Sequence, residues 1–289
     1  MGKSQILGNM FKLLIVIASC LAPLYILISH PNLKHEGRTF HFDFKIGSTI
    51  SRPNHITLDD VYIAVKTSSS FHQTRLPMIL QTWFPLANDQ IWFFTDADDL
   101  VLQMITDRHM INTYCPPTHF RRDLSCKMGV EINTFMTTNK TWFCHFDDDN
   151  YVNIPNLIEM LKGYDPEADW YLGRNSYSTR YNATIIKRME TVNFWFATGG
   201  AGICISRPLG VKMLPYISGV KFLHTSDSIL EPDDVTVGFI IEHLLNVSMT
   251  RIAEFHSHEE KLNLVKRDTI KEQVSFGYQN KNIIEIEGR

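Results

Sequence analysis

Short apolar runs alternate with segments of helical spacing along most of the chain after residue 58. The run "VYIAVKT" at 61–67 is rich in β-branched residues, as is typical of a buried strand. "TRLPMILQTW" at 74–83 predicts a helix, because its proline falls in the first turn, where helices tolerate it. "QIWFFTDADD" at 90–99 predicts a second strand that ends in an acidic loop.

The same alternation continues through the C-terminal half of the chain. An amphipathic segment at 119–137 predicts a long helix, and the apolar run "TWFCHF" after it predicts a strand. Three further runs are strand-like, namely "DWYLG", "NFWFA" and "AGICIS". Three segments predict helices, namely "PNLIEMLKG", "RPLGVKML" and "DDVTVGFIIEHLL". Strands that alternate with helices predict an α/β layered fold with a mainly parallel central sheet.

The N-terminal region has a different composition. Residues 13–29 contain no charged side chain and follow Lys3 and Lys12, and their number is at the short end for a membrane span. A cleaved signal peptide has a similar order of charged and apolar parts. Because no clear small-residue cleavage site follows, we predict an uncleaved signal-anchor helix after a cytoplasmic tail at 1–12. The polar segment 30–58 predicts a lumenal stem, and 59–289 one catalytic domain.

Cysteines and glycosylation sequons agree with a lumenal location. Cys20 lies in the apolar run, and four cysteines follow it: Cys115, Cys126, Cys144 and Cys204. Four cysteines allow three pairings, whereas buried free thiols in a cytosolic protein are the alternative. Three N-glycosylation sequons begin at Asn139, Asn182 and Asn246. Together these features favour the secretory pathway.

The overall charge excludes one broad class of partner. The 289 residues are 44% apolar and carry a formal net charge of −3. This balance provides no basic field for binding nucleic acid. A phosphate-bearing small molecule is still compatible with it, because such a ligand needs only a local site.

Three consecutive aspartates, Asp147, Asp148 and Asp149, follow the strand-like run "TWFCHF" directly. Ligands of open α/β sheets bind outside the carboxyl ends of the strands. A carboxylate cluster at such an end can hold a hard divalent cation together with substrate phosphates. The alternative is a solvated acidic turn that caps the next helix. The three aspartates alone do not decide between the two.

Two other motifs contain groups suited to the same kind of site. "FHSHEE" places His256 and His258 after a short apolar segment, and an imidazole beside a carboxylate suits Mn²⁺ better than Mg²⁺. "EPDDVTVG" places Asp233 and Asp234 at the start of a predicted helix. There they could cap the helix, or one of them could act as a general base on an alcohol. A structural histidine pair is the alternative for the first motif.

A glycine-rich segment and an arginine complete the candidate site. Gly199, Gly200 and Gly202 in "FWFATGGAGICIS" allow the backbone to approach a ligand closely. Their spacing does not match the dinucleotide fingerprint, and the chain contains no phosphate-binding loop motif. Arg75 follows the first predicted strand and could contact a phosphate. Otherwise it is a solvated arginine at a helix start.

Taken together, these motifs resemble the Fringe family of glycosyltransferases over roughly residues 59–261. The resemblance implies a GT-A fold in a type II Golgi membrane protein whose catalytic domain is lumenal. It implies inverting transfer of N-acetylglucosamine from UDP-GlcNAc to O3 of O-linked fucose on EGF-like repeats of Notch-type receptors, with Mn²⁺ as cofactor. The segments that carry it are "IAVKT", "TRLPMILQTW", "FFTDADD", "WFCHFDDDNYVN", "YLGR", "FWFATGGAGICIS", "PDDVTVGFIIEHLL" and "FHSHEE".

The resemblance also implies a role for each site residue. Asp149 is similar to the metal-binding aspartate of the family. His258 is preferred over His256 as the second metal ligand because of its spacing from the base. Asp148 and Arg75 are similar to the residues that bind the sugar nucleotide.

Asp234, the second acid of "PDD", is similar to the catalytic base, whereas Asp147 is expected to be mainly structural. The chain departs from the family at Val235, where a cysteine is usual, and in ending at Arg289, where the family usually continues with further cysteines. Both departures agree with the absence of a C-terminal disulfide that the family has. The resemblance then implies that the remaining cysteines pair as Cys115–Cys126 and Cys144–Cys204.

Two alternatives stay open at this point. The first is a related β1,3-glycosyltransferase that uses UDP-galactose, UDP-glucose or another acceptor, since metal and diphosphate ligands do not recognise the sugar. The second is a catalytically weak lumenal protein that binds a sugar or a receptor.

Overall fold

The structure is a computed structural model and describes residues 56–278. The central feature of this part of the chain is a seven-stranded sheet. Its strand order is β10-β6-β9-β4-β1-β2-β3. Only β9 runs antiparallel to its neighbours, β4 and β6. The strands are β1 (Val61–Lys66), β2 (Ile91–Thr95), β3 (Met110–Asn112), β4 (Trp142–Asp147), β5 (Asn150–Val152), β6 (Tyr171–Gly173), β7 (Tyr181–Ile185), β8 (Glu190–Phe194), β9 (Ile203–Ser206), β10 (Thr250–Arg251) and β11 (Ser275–Gly277).

Helices cover both faces of this sheet, and the predicted α/β class with a mainly parallel sheet is confirmed. The proline of the first helix, Pro77, lies in its first turn as predicted. The helices are α1 (Leu76–Gln81), α2 (Leu100–Ile105), α3 (Arg121–Thr137), α4 (Ile154–Leu161), α5 (Arg207–Ile217), α6 (Lys221–Ile229) and α7 (Asp233–Gly238).

Strand β1 shows why the apolar runs of this sequence form central strands. Successive side chains of a strand point to opposite faces of the sheet. Ile63 and Val65 pack into the core on one face, while Tyr62 and Ala64 pack into the core on the other. All four are at most 2% exposed. An uninterrupted apolar run therefore fits a strand that helices cover on both faces.

Helix α6 and strand β7 were absent from the sequence prediction, and β8 was predicted only at its last two residues, in "NFWFA". The buried residues of α6, Phe222, Ser226 and Ile229, do have helical spacing, but the middle one is polar. The Ser226 hydroxyl is buried because it accepts a hydrogen bond from Arg121 Nη1, 2.6 Å away. A tertiary contact of this kind conceals the amphipathic pattern from single-sequence reasoning.

Two predicted elements are corrected by the structure. The strand expected at "NFWFA" ends at Phe194, and Ala197 makes only an isolated bridge with Asn175. The helix expected at 233–245 is α-helical only to Gly238 and continues as a π-helix over Phe239–Leu244. A Cβ at Gly238 would lie 2.3 Å from Cβ of Phe196, so the chain approaches the neighbouring segment too closely for any side chain there.

The predicted cytoplasmic tail, the signal anchor and all but the last three residues of the stem lie outside the described residues. Within 56–278, none of the helices has both the length and the apolar character that a bilayer span requires.

Candidate functional site

The three aspartates lie at the carboxyl edge of the sheet: Asp147 is the last residue of β4, and Asp148 and Asp149 form the turn to β5. The three are called the aspartate turn below. The backbone N–H of Asp147 donates to Oδ1 of Asn150 (3.0 Å), and that of Asp148 donates to the Lys66 carbonyl at the end of β1 (3.1 Å). Asp148 and Asp149 are only 3% and 7% exposed. A solvated acidic turn is therefore the wrong interpretation, and the carboxylates need partners other than water.

Asp147 faces into the protein, towards two basic side chains. Lys66 Nζ lies 3.1 Å from its Oδ1, and His145 Nε2 lies 3.5 Å from the same atom. Burial alone would raise the pKa of Asp147, but these two neighbours outweigh it and hold the pKa below its usual range. Asp147 is therefore an ionised, internally neutralised carboxylate, in keeping with the structural role expected for it.

Asp148 is held by Arg75, the residue just before α1. Arg75 Nη1 donates to Oδ1 of Asp148 (2.6 Å), and the Thr67 hydroxyl donates to Oδ2 (2.7 Å). The guanidinium also lies 3.3 Å from Asp149 and 3.9 Å from the centre of the Phe71 ring. Arg75 is thus part of the aspartate cluster rather than a solvated residue at a helix start.

Asp149 is the aspartate with the least compensation. Burial, with the like charge of Asp147, raises its pKa to about 6. Its Oδ1 atom is buried and has no hydrogen-bond partner in the described part of the chain. Its Oδ2 atom lies 4.0 Å from Nδ1 of His258. A buried carboxylate in this condition is one that a cation would stabilise.

The two histidines of "FHSHEE" have different surroundings. The His256 ring is engaged internally, because Nδ1 lies 3.2 Å from Glu260 and Nε2 lies 2.7 Å from Oε1 of Gln273. His258 instead faces Asp149. His258 is thus the histidine of the pair that lies next to the aspartate turn, and its assignment as a metal ligand stays a prediction.

The donor set fits Mn²⁺ only if a substrate completes it. Among residues 56–278, no group of three or more His, Cys, Asp or Glu is arranged to hold a metal ion. Asp149 and His258 offer one carboxylate and one imidazole, a combination that suits Mn²⁺. If such an ion bound, phosphate oxygens of a substrate would have to supply further ligands, as is usual where a metal binds together with a nucleotide.

The glycine-rich segment packs directly against these groups. A Cβ at Gly200 would lie 3.2 Å from Cε1 and Nδ1 of the His258 ring. The Gly200 carbonyl accepts a hydrogen bond from Nδ2 of Asn150 (2.8 Å). Gly202 has a φ of +109°, and a Cβ there would lie 2.3 Å from the Phe146 ring. The glycines therefore bring backbone close to the site, as predicted, although close packing within the protein already requires them.

Asp234 lies at the start of α7, next to this glycine segment. Its Oδ2 accepts a hydrogen bond from the backbone N–H of Gly199 (3.2 Å). The side chain is half-buried, and loss of water together with the charge of Asp233 raises its pKa to about 7. A Cβ built on Gly199 would lie 3.7 Å from Asp234 and 3.8 Å from Asp147. The proposed base and the aspartate turn are therefore separated by little more than one glycine.

Sequence reasoning missed a buried row of alternating charges behind the site. Glu131 lies 2.6 Å from Nδ1 of His145, and the other ring nitrogen of His145 lies 3.5 Å from Asp147. Lys66 contacts Asp147 on one side and Asp233 (2.7 Å) on the other. Burial lowers the pKa of His145, but Glu131 outweighs it and raises the pKa to about 9. The available signal was the presence of Lys and His inside otherwise apolar strands.

Both predicted disulfides are present, so the free-thiol alternative is wrong. Cys144 and Cys204 are directly opposite each other on β4 and β9, with an S–S distance of 2.03 Å. Cys115 pairs with Cys126 of α3. Val235, where the family usually has cysteine, is buried in a small apolar cluster. The Val235 side chain therefore contributes apolar packing at the position where the family usually has a cysteine.

The three sequons are compatible with glycosylation. Asn139, Asn182 and Asn246 are all exposed, so each is accessible from solvent. Their occupancy stays a prediction.

Comparisons with known proteins agree with the resemblance noted from the motifs. The chain is 51% identical over 239 residues to Fringe glycosyltransferase of Drosophila melanogaster, covering 80% of this chain and 58% of that protein. It is 46% identical over 240 residues to beta-1,3-N-acetylglucosaminyltransferase lunatic fringe of Danio rerio, covering 81% and 64%. It is 42% identical over 241 residues to the radical fringe enzyme of Gallus gallus, covering 81% and 65%.

The chain thus spans roughly three-fifths of the length of these relatives. A model of the Fringe-like family matches residues 56–289, which include the whole sheet and every candidate site residue. The chain therefore belongs to the Fringe-like family.

Proposed function

We propose that this protein is an inverting glycosyltransferase that moves N-acetylglucosamine from UDP-GlcNAc to O3 of O-linked fucose on EGF-like repeats of Notch-type receptors. Family membership supports the reaction class. The observation that carries the proposal is that two consecutive glycines adjoin both the base and the cation site: a Cβ on Gly199 would lie 3.7 Å from Asp234, and a Cβ on Gly200 would lie 3.2 Å from His258. A base and a cation site that flank the same short segment can act on the two sides of one displacement, the attacking hydroxyl and the departing diphosphate.

The donor half of the site is formed by Arg75, Asp148, Asp149 and His258. Arg75 presents a guanidinium at the mouth of the cluster and is about one-third exposed, so that it can pair with a diphosphate. Asp148, held by Arg75 and Thr67, belongs to the same group of donor-binding residues and orients the Arg75 guanidinium. Asp149 and His258 would hold Mn²⁺, which when bound supplies Lewis-acid neutralisation of the UDP leaving group.

The acceptor half depends on Asp234. A carboxylate with a pKa of about 7 is a stronger base than an ordinary aspartate and is still ionised in half the molecules at neutral pH. Asp234 takes the proton from the fucose hydroxyl while the oxygen attacks the sugar from the face opposite UDP. One direct displacement inverts the anomeric centre, so this chain needs no nucleophilic residue of its own.

The location that we propose is the Golgi membrane, with a single-pass type II topology and a lumenal catalytic domain. The apolar segment 13–29, the two disulfides and the exposed sequons support it. Disulfides persist in oxidising compartments and are rare in the cytosol.

A panel of donors tests the proposal. The full-length chain, purified in detergent-containing buffer, is incubated with Mn²⁺, an O-fucosylated EGF-like repeat and either UDP-GlcNAc, UDP-galactose or UDP-glucose. We expect mass spectrometry to detect transfer from UDP-GlcNAc. Transfer from UDP-galactose or UDP-glucose alone would instead indicate the related β1,3-transferase. Donor binding without transfer would indicate the sugar-binding paralogue.

A further inference from the structure

One ammonium group joins the two halves of the site. Lys66 ends β1 and is 11% exposed at its side chain. Its Nζ lies 3.1 Å from Oδ1 of Asp147 and 2.7 Å from Oδ2 of Asp233. Asp147 begins the aspartate turn, and Asp233 is the first residue of α7. These two segments are held together across the site by the same cation.

We infer that Lys66 is a positioning residue of the transfer reaction, which sets the distance between the aspartate turn and the base on α7. Asp233 is followed directly by Asp234, while Asp147 lies two residues before Asp149. A displacement of α7 therefore moves the base relative to the cation site. This inference rests on the proposed function and adds to it a residue outside the donor-binding, metal and base assignments.

The surrounding charges make Lys66 indispensable for this arrangement. Asp147 and Asp233 are both ionisable acids in a poorly hydrated place, with side chains 25% and 6% exposed. Without the ammonium they repel each other, and neither can turn to solvent freely. On the far side of Asp147, His145 also contacts that carboxylate (3.5 Å) and is paired with the fully buried Glu131, but it is Lys66 that links Asp147 to Asp233.

The hydrogen bond between Gly199 and Asp234 reports on the same geometry. It is 3.2 Å long, near the upper end for an N–H···O bond, so a small shift of α7 breaks it. Misplacing a catalytic group by about 1 Å can slow a reaction on the order of 10²-fold. Losing Lys66 should therefore lower kcat far more than it changes the affinity for the donor.

A mutant cycle with Asp233 tests the inference. We expect Lys66→Met to lower kcat on the order of 10²-fold, with the KM for UDP-GlcNAc changed by less than about threefold. Lys66→Arg keeps the charge and should retain most of kcat. Lys66→Met combined with Asp233→Asn should lose less than the product of the two single losses, because no uncompensated carboxylate then faces Asp147. The non-additivity shows that Lys66 acts through Asp233, whereas the split between kcat and KM is the result that a merely structural lysine would not give.

The control is Lys162→Met, which removes a lysine that pairs with Glu159 on an exposed helix surface. It should leave both kcat and KM unchanged. A folded Lys66→Met variant with a kcat within twofold of the parent protein would overturn the inference. Strictly multiplicative losses in the cycle would also overturn it.

A second readout needs no substrate and separates this inference from the proposed function. Hydrogen exchange at the Gly199 amide should accelerate in Lys66→Met and in Asp233→Asn, and stay unchanged in Lys162→Met. If the parent protein transfers no sugar, the proposed function fails, whatever the exchange at Gly199. If Gly199 exchange is unchanged in the folded variants, the inference about Lys66 fails, whether or not the parent protein transfers sugar. If Lys66→Met does not fold, Asp233→Asn alone gives the same comparison.

Discussion

Arg75 and Asp148 form a 2.6 Å ion pair at the mouth of the site, next to a second carboxylate, Asp149, at 3.3 Å from the same nitrogen. Stacking on Phe71 fixes the plane of the guanidinium. Arg75 is therefore held in place by the protein itself, and under the proposed function little conformational entropy would be lost when the diphosphate of the donor binds.

This geometry predicts that Arg75 contributes mainly to donor affinity. We expect Arg75→Ala to raise the KM for UDP-GlcNAc on the order of 10–100-fold, since a charge-assisted contact to phosphate is lost. Arg75→Lys should be intermediate, because an ammonium cannot reproduce the planar fork. Steady-state kinetics with Arg188→Ala, an exposed arginine, provides the control. A KM for Arg75→Ala equal to that of the control would contradict the assignment.

The activity should rise with pH through about 7. Burial and Asp233 raise the pKa of Asp234 to about 7, so its carboxyl group is protonated at lower pH. Only the ionised form can accept a proton, so kcat should increase as pH passes from about 6 to about 8 and then level off. A rate profile measured with saturating donor and acceptor checks this. An activity already maximal at pH 5 would show that a different group is the base.

The two histidines provide a matched pair for the metal assignment. His258→Ala should weaken Mn²⁺ binding in the presence of UDP by roughly 10-fold or more, since losing even a partner of a metal ligand typically costs about 10–100-fold. His256→Ala removes contacts to Glu260 and Gln273 and should lower stability instead. Titration calorimetry and thermal unfolding separate the two effects. Weaker Mn²⁺ binding in His256→Ala, with only lower stability in His258→Ala, would instead make His256 the metal ligand.

Metal binding should release protons from Asp149. Its pKa of about 6 must fall when a cation binds, because the cation favours the ionised carboxylate. We therefore expect the heat of Mn²⁺ binding at pH 6, with UDP present, to depend on the ionisation enthalpy of the buffer. Asp149→Asn should abolish both that dependence and the binding. Buffer-independent heats with normal affinity would remove Asp149 from the ligand set.

A buried ion pair just after the second strand should contribute to the free energy of unfolding at neutral pH and lose this contribution at acid pH. Lys127 on α3 lies 2.6 Å from Asp96, and both side chains are at most 2% exposed. Burial would raise the pKa of Asp96, but Lys127 and hydrogen bonds from Ser69 outweigh it and lower the pKa to about 2. A lowered carboxyl pKa contributes stability above its ordinary value of 3.8 and loses it as pH falls towards 2.

That loss in the free energy of unfolding should amount to about 2 kcal/mol, from a pKa difference of nearly two.

The variant Lys127→Met leaves the Asp96 carboxylate buried without its cation, and we expect this to cost roughly 3–5 kcal/mol of stability at neutral pH. Urea unfolding at pH 7, with the exposed Lys187→Met as control, measures the effect. A loss below about 1 kcal/mol would place Asp96 in water instead.

Local pattern was sufficient to predict the strands that carry the site. The runs that became β1, β2 and β4 are apolar because helices cover both faces of the sheet, and the position of Asp149 at a strand end followed from the run before it. The α/β class and the aspartate cluster could therefore be predicted from the sequence.

Tertiary pairing was not available to sequence reasoning. Lys66, His145 and Glu131 are ordinary residues until the fold brings them together, and their charges then determine which aspartate is neutralised internally. The requirement for glycine at 238 likewise comes from the closeness of Phe196. Such features depend on contacts between distant segments rather than on local spacing.

The central claim is that Asp234 completes a site whose donor half is formed by Arg75 and the aspartate turn. One measurement tests it most directly: transfer of N-acetylglucosamine to an O-fucosylated EGF-like repeat by the parent protein and by Asp234→Asn, with UDP-GlcNAc affinity measured on the same samples. We predict transfer by the parent protein, a loss of at least about 10³-fold in the variant and nearly equal donor affinity. A variant that transfers N-acetylglucosamine at the parental rate would contradict the account.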